Sequence, residues 1–266
     1  MIVRIVFLAF FACGVIAGEA QAQLYLENGK VVLAVSGGEH TNGSLIIRNT
    51  SADQADVKVY WEDFKYKPPY DGSKDFLPAS TVTGSASQWV TFYPQSFSLP
   101  PFGQQKIDYS VAVPGSIDKG HYGVLFFEKS SLAVTNGEGV NLVTRVGCLF
   151  FIEPTDKNKN AAIENVKLEG NESFSASFAN HGNIIIIPRT TYYIMQEGGL
   201  VLLRGEANKV YVPPGAAATI EIPLKKKLSP GRYTLVVNAD LQEGDVAVKE
   251  ISLAVDASGQ ITIVNS

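Results

Sequence analysis

The chain has 266 residues, of which 45% are hydrophobic and 18% charged, and it carries a net charge of −4 from 22 basic and 26 acidic side chains. The basic residues are scattered, which excludes the basic stripe a nucleic-acid partner requires, and Lys225-Lys226-Lys227 reads as a solvated strand end. The length accommodates two domains of roughly 100–200 residues each, and the recurrent Asn, Gly, Val, Thr and Tyr make a β composition.

The N-terminus opens with Arg4, an apolar stretch over residues 5–12 that continues through Val15 and Ile16, and the small-x-small run Ala20-Gln21-Ala22. This pattern predicts a signal peptide over residues 1–22, with the mature chain starting at Gln23 in a periplasmic or otherwise extracytoplasmic compartment, without stable membrane insertion after cleavage. A retained membrane anchor is the competing reading. The stretch is shorter than the roughly 20 residues a spanning helix needs, and Glu19 closes it. Lipidation at Cys13 is a further alternative: Phe10-Phe11-Ala12-Cys13 loosely imitates a lipobox, with Phe10 and Phe11 where smaller or aliphatic residues are usual. Of the two cysteines only Cys148 remains in the mature chain, so no internal disulfide forms and packed cores must supply the stability.

Beyond the signal, short apolar or alternating runs recur about every ten residues between turn residues, the spacing of an all-β sandwich. Strands are predicted at 31–35, 44–48, 57–61, 89–93, 105–113, 122–127 and 142–152. The polar segment 154–160 then reads as a linker. Further strands are predicted at 163–168, 174–178, 184–187, 191–195, 200–203, 210–212, 219–222, 233–237, 246–255 and 261–264, and no window carries a capped helical pattern. The expected fold is two tandem immunoglobulin-like β-sandwich domains, over residues 23–154 and 162–266, joined by the linker 155–161.

An internal repeat supports that division. Leu99-Pro100-Pro101-Phe102-Gly103, a strand ending at Pro114 and Gly120-His121-Tyr122 are followed in the second half by Val212-Pro213-Pro214-Gly215, a strand ending at Pro223 and Gly231-Arg232-Tyr233. The Pro and Gly residues make turns, and each Gly-x-Tyr puts a tyrosine at the start of a strand, where its hydroxyl can bond nearby backbone as in a tyrosine corner.

No catalytic set is legible, so no enzyme activity and no cofactor are expected. His40, His121 and His181 lie beside glycines in apparent turns without a second ligand at metal-binding spacing, so no metal site is expected. The loop Asp71-Gly72-Ser73-Lys74-Asp75 has too few acids for a calcium site. Two stretches fit recognition. The aromatic segment 61–70 (Trp61, Phe64, Tyr66 and Tyr70) is either the cover of a sandwich edge or a contact surface. In the segment 140–152, Val140, Leu142, Thr144, Val146, Cys148, Phe150 and Ile152 share one face by period two. A central strand would bury that face as core. An edge strand would offer it as a track for an extended partner.

The first half, roughly residues 24–154, resembles the N-terminal domain of the periplasmic pilus-assembly (PapD-like) chaperones. The matching text is Gly43-Ser44-Leu45-Ile46-Ile47-Arg48-Asn49-Thr50-Ser51, Ser87-Gln88-Trp89-Val90, Tyr93-Pro94, Phe97-Ser98-Leu99-Pro100-Pro101, Val113-Pro114, Gly120-His121-Tyr122 and Leu149-Phe150-Phe151-Ile152 running to Pro154. The second half looks Ig-like. The resemblance implies a two-domain protein that lends an edge strand to a secreted pilin-like or surface subunit, with two basic cleft residues holding the subunit's terminal carboxylate. Leu149 stands where the family carries its cleft lysine, counted back from Pro154. Lys30 and Arg145 are the substitutes at hand. The resulting partner-binding set is Lys30, Leu142, Thr144, Arg145, Val146, Cys148 and Phe150. The alternative is a structural or adhesive Ig-like envelope module that makes contact through the loop 61–70.

Overall fold

The computed structural model describes residues 24–135 and 138–265; the expected signal peptide and Cys13 lie outside them. No helix occurs among the described residues. The first ten strands are β1 (Leu24–Leu26), β2 (Lys30–Val35), β3 (His40–Asn49), β4 (Ala55–Tyr66), β5 (Lys74–Pro78), β6 (Val90–Tyr93), β7 (Ser96–Leu99), β8 (Gln104–Ala112), β9 (His121–Thr135) and β10 (Glu138–Pro154). They form a four-stranded sheet, β1-β3-β8-β6, and a six-stranded sheet, β2-β10-β9-β4-β5, with β7 also on β4. Every strand pairing is antiparallel except β2 on β10, which is parallel.

The remaining strands are β11 (Ala161–Glu169), β12 (Ser173–Asn180), β13 (Arg189–Gln196), β14 (Val201–Glu206), β15 (Ala217–Pro223), β16 (Gly231–Asp240), β17 (Val246–Val255) and β18 (Ile261–Asn265). Their sheets run β11-β12-β15 and β14-β13-β16-β17-β18. The protein is thus all-β, with two Ig-like sandwiches in tandem. The expected strands at 184–187 and 210–212 are not strands but the two sides of one isolated bridge, Ile186 to Val212. Pro188, Pro213 and Pro214 lack the amides that would extend it, although Ile186 and Val212 remain buried. Conversely β1, β5 and β7 are short strands that the apolar pattern does not mark.

Alternation builds each core. In β15 the buried Ala218, Ile220 and Ile222 alternate with exposed positions, and they join Phe174, Phe178, Tyr192, Leu235 and Val237 in the second core. Leu45, Ile47, Ile107, Leu125, Phe127, Cys148 and Phe150 fill the space between the first two sheets. Fully burying a side chain of this size contributes about 1.5–3 kcal/mol. Strand β9 is buried on both faces, because Tyr122, Val124 and Phe126 point away from that core into a second cluster with Phe64, Tyr66 and Phe151. Ile185 and Tyr211 from the second half pack against this cluster.

The two copies of the Gly-x-Tyr repeat have diverged. Tyr233 makes the expected corner, its hydroxyl donating to the Ser229 carbonyl at 2.7 Å. The Tyr122 hydroxyl instead accepts from the Ile185 amide of the other half at 2.9 Å. Nearby, Asn183 donates to the carbonyls of Asp118 (2.9 Å) and Asp156 (3.2 Å) and its carbonyl accepts from the Gly120 amide at 2.9 Å. A second seam stacks Tyr66 on Tyr211 with centroids 5.0 Å apart, while the Tyr211 amide donates to the Tyr70 carbonyl at 2.8 Å.

Candidate functional site

Strand β10 is paired differently along its two sides. On one side β9 runs antiparallel to it from Glu138 to Ile152. On the other, β2 covers only Leu149 to Pro154, so among the described residues no strand pairs with the outer edge of 138–148. The Leu149 amide donates to the Gly29 carbonyl at 3.0 Å, and the Thr155 amide to Val35 at 3.0 Å. Strand amides alternate sides, so the odd-numbered amides of Val143, Arg145 and Gly147 point to the open edge.

The side chains divide at Cys148. Cys148 and Phe150 are fully buried, and they pack with Val57, Leu125 and Phe127. This corrects the expectation that both contact a partner, because the facing sheet covers them. Burial pushes the Cys148 thiol up to about 12. Val146 and Thr144 are half-buried and Leu142 is 51% exposed. The same period-two face therefore begins as core and continues beyond the core as an accessible apolar track.

Arg145 lies on the opposite face. Its guanidinium sits 4.3 Å from the Phe126 ring centroid and 5.5 Å from that of Phe76, and it donates to Glu62 at 3.3 Å. A hydrogen bond with Tyr60, and then the Glu62 charge, hold its pKa above the ordinary arginine value. Lys30 shares this outer face but pairs with Leu149, four residues along β10 from Arg145, or roughly 13 Å at strand rise. The structure does not bring the two together. Lys30 sits with its ammonium 4.0 Å from the Phe151 centroid. Surrounding protein lowers its pKa; Glu153 opposes the shift, and the Lys209 charge adds to it.

Sequence reasoning missed the second-half residues in this crevice. Lys209 lies 5.0 Å from the Tyr211 centroid, and Lys74 of the first half reaches the same stacked pair, 4.8 Å from the Tyr66 centroid and 5.9 Å from that of Tyr211. Only the meeting of the two halves reveals them. The aromatics of the segment 61–70 are largely committed to packing. Phe64 and Tyr66 are buried, and the Trp61 ring covers Gly123, where a Cβ would lie 2.0 Å from it. The contact surface of the adhesive reading is thus mostly interior. Among the described residues no group of three or more His, Cys, Asp or Glu is arranged to hold a metal. The carboxylate of Asp71 caps the Ser73 amide and that of Asp75 pairs with Lys67.

Two Ig-like sandwiches in tandem, with the last long strand of the first left half-paired, make up an architecture that this chain shares with periplasmic fimbrial chaperones. Two solved structures share that fold over nearly their whole length. The class 5 fimbriae chaperone CfaA is 13% identical, with 85% of this chain and 98% of that one covered and a TM-score of 0.53. A chain from a chaperone–tip adhesin complex of CFA/I fimbriae biogenesis is 12% identical, with 86% and 98% covered and a TM-score of 0.52. No protein-family model and no curated protein matches the sequence.

Proposed function

We propose that this protein is an extracytoplasmic chaperone that binds secreted pilin-like or surface subunits by pairing one of their strands with the edge of β10 over residues 138–148. The observation that carries this reading is that, among the described residues, no strand joins this edge, and the edge coincides with the accessible track Leu142, Thr144 and Val146. Main-chain bonds along such an edge give affinity, and alternate side chains give specificity. The fold shared with fimbrial chaperones supports the same reading.

Direction follows from β2. A strand lying on the edge parallel to β10 ends where β2 begins, so its C-terminus arrives at Gly29 and Lys30. An antiparallel strand would bring an N-terminal ammonium there instead. The Lys30 cation favours the carboxylate, and hence parallel pairing.

Val143→Pro tests the main-chain component. The Val143 amide faces the open edge, so proline there leaves the β9 ladder intact, as proline does on edge strands. The expected result is a folded protein whose capture of a secreted β-rich subunit, at near-equal amount, is lost. Leu142→Glu with Val146→Glu should have the same effect through the side chains. Unchanged capture by both folded variants would sink the proposal.

A further inference from the structure

We infer that Asn28-Gly29 is a site of spontaneous modification, and that its isoaspartyl product loosens the hydrogen bond with which the β2 side closes the edge of β10. Asparagine followed by glycine is the pair in which a side-chain amide most readily meets the next backbone nitrogen, because glycine has no Cβ to obstruct the approach. The sequence holds three such pairs, Asn28-Gly29, Asn42-Gly43 and Asn136-Gly137, of which the third lies outside the described residues. The other two sit in opposite settings.

Asn28 and Gly29 are exposed and occupy the turn between β1 and β2. Among the described residues, no hydrogen bond engages the Asn28 side chain or the Gly29 amide, and a Cβ on Gly29 would meet nothing within 4 Å. Asn42 is exposed too, but it lies inside β3, with Gly43 opposite Tyr109 of β8. The Asn49 amide of β3 donates toward the β8 side, to Gly103. Strand amides alternate sides, so the Gly43 amide is likewise held in the ladder with β8. The Tyr109 ring also fills the space that a Cβ on Gly43 would take. Ring closure at Asn42 must therefore wait for local opening, and at Asn28 it need not.

The reaction consumes only water. The Gly29 nitrogen bonds to the Asn28 Cγ as it gives up its proton, and the Cγ–Nδ2 bond breaks as ammonia leaves with that proton. Water then opens the cyclic imide. Attack at the Asn28 Cγ gives aspartate. Attack at the main-chain carbonyl of residue 28 gives isoaspartate, whose chain runs through Cβ and Cγ and is one carbon longer. That carbon enters directly before Gly29, whose carbonyl accepts from the Leu149 amide at 3.0 Å. Leu149 is the first residue of β10 that β2 covers, so loosening this bond lengthens the open edge.

The test ages the mature chain in mildly alkaline buffer and maps it by peptide mass spectrometry, with an isoaspartyl methyltransferase to score isoaspartate. Asn28 should convert at least about tenfold faster than Asn42, the factor that a local opening of about 1.4 kcal/mol imposes. Hydrogen exchange at the Leu149 amide should quicken by about two- to tenfold in the isoaspartyl fraction, as loss of one ordinary hydrogen bond implies. Asn28→Gln should keep Leu149 protected through the same ageing. Freshly prepared Asn28→Asp, which adds the charge without the carbon, should match the unaged parent. Conversion of Asn28 no faster than that of Asn42 overturns the modification site. Unchanged exchange at Leu149 in the isoaspartyl fraction, or equal acceleration in Asn28→Asp, overturns the loosening. Neither readout involves a bound partner, so the result is independent of whether β10 pairs with a subunit.

Discussion

Tyr122→Phe removes a single oxygen from the seam between the halves. The ring keeps its contacts with Phe151 and Phe64, at centroid distances of 5.2 and 6.3 Å, so little apolar burial is lost. What is lost is the acceptor for the Ile185 amide at 2.9 Å, in a spot so tight that a Cβ on Gly120 would lie 1.9 Å from the hydroxyl. An orphaned buried donor costs about 1–3 kcal/mol, and because Ile185 is only half-buried the lower part, about 1–2 kcal/mol, applies. At about 2–4 °C per kcal/mol for a chain of this size, melting should fall by about 2–8 °C. Tyr233→Phe is the control, since its hydroxyl serves Ser229 four residues away within one sandwich. In scanning calorimetry Tyr122→Phe should broaden or split the transition, whereas Tyr233→Phe should lower it without loss of cooperativity. Melting of Tyr122→Phe within 1 °C of the parent, or indistinguishable behaviour of the two variants, would refute the assignment of Tyr122 to the seam.

Two further outcomes follow from buried polar groups. The Cys148 thiol, pushed up to about 12 by burial, should resist iodoacetamide at pH 8 until denaturant is added; rapid labelling of the native protein would mean that β10 peels away from the core. Asp63 is fully buried, and its carboxylate accepts from the amides of Thr81 (2.9 Å) and Val82 (3.3 Å), the Ser85 hydroxyl (2.6 Å) and the Trp61 indole (3.3 Å). Asp63→Asn turns an amino group toward some of those donors in either orientation, so urea unfolding should show a loss of at least about 1–3 kcal/mol. A loss below about 0.5 kcal/mol would mean that the loop after β5 does not depend on Asp63.

Much of the fold is legible in the sequence because its strands are half-buried. Alternation in segments such as 44–48 and 219–222 reports one face in and one out, and the observed strands follow it. The misreadings have specific causes. Residues 184–187 and 210–212 are apolar because they are core, yet flanking prolines deny them a ladder. β5 carries Lys74 and Asp75 because strand pairing with β4, rather than its own pattern, makes it a strand. The Gly-x-Tyr repeat marks both tyrosines, but only the meeting of the halves decides that one turns a corner while the other bridges to Ile185.

The strand 140–152 exposes the deeper limit of pattern reading. Period two says which side chains share a face, and it is silent on what lies along the strand's edge, which depends on backbone groups of residues far away in sequence. Core and edge are therefore not alternatives for β10. From Cys148 onward the inner face is packed by Phe127 and Leu125, and from Leu149 onward the edge is closed by β2; before that the same face runs past the core to Val146, Thr144 and Leu142 while, among the described residues, no strand joins the edge beside it. The boundary is set by where β2 starts, at Lys30. That start also places the Lys30 side chain at the end of the open edge, so in the proposed strand pairing the same terminus would limit the length of the paired segment and meet its end.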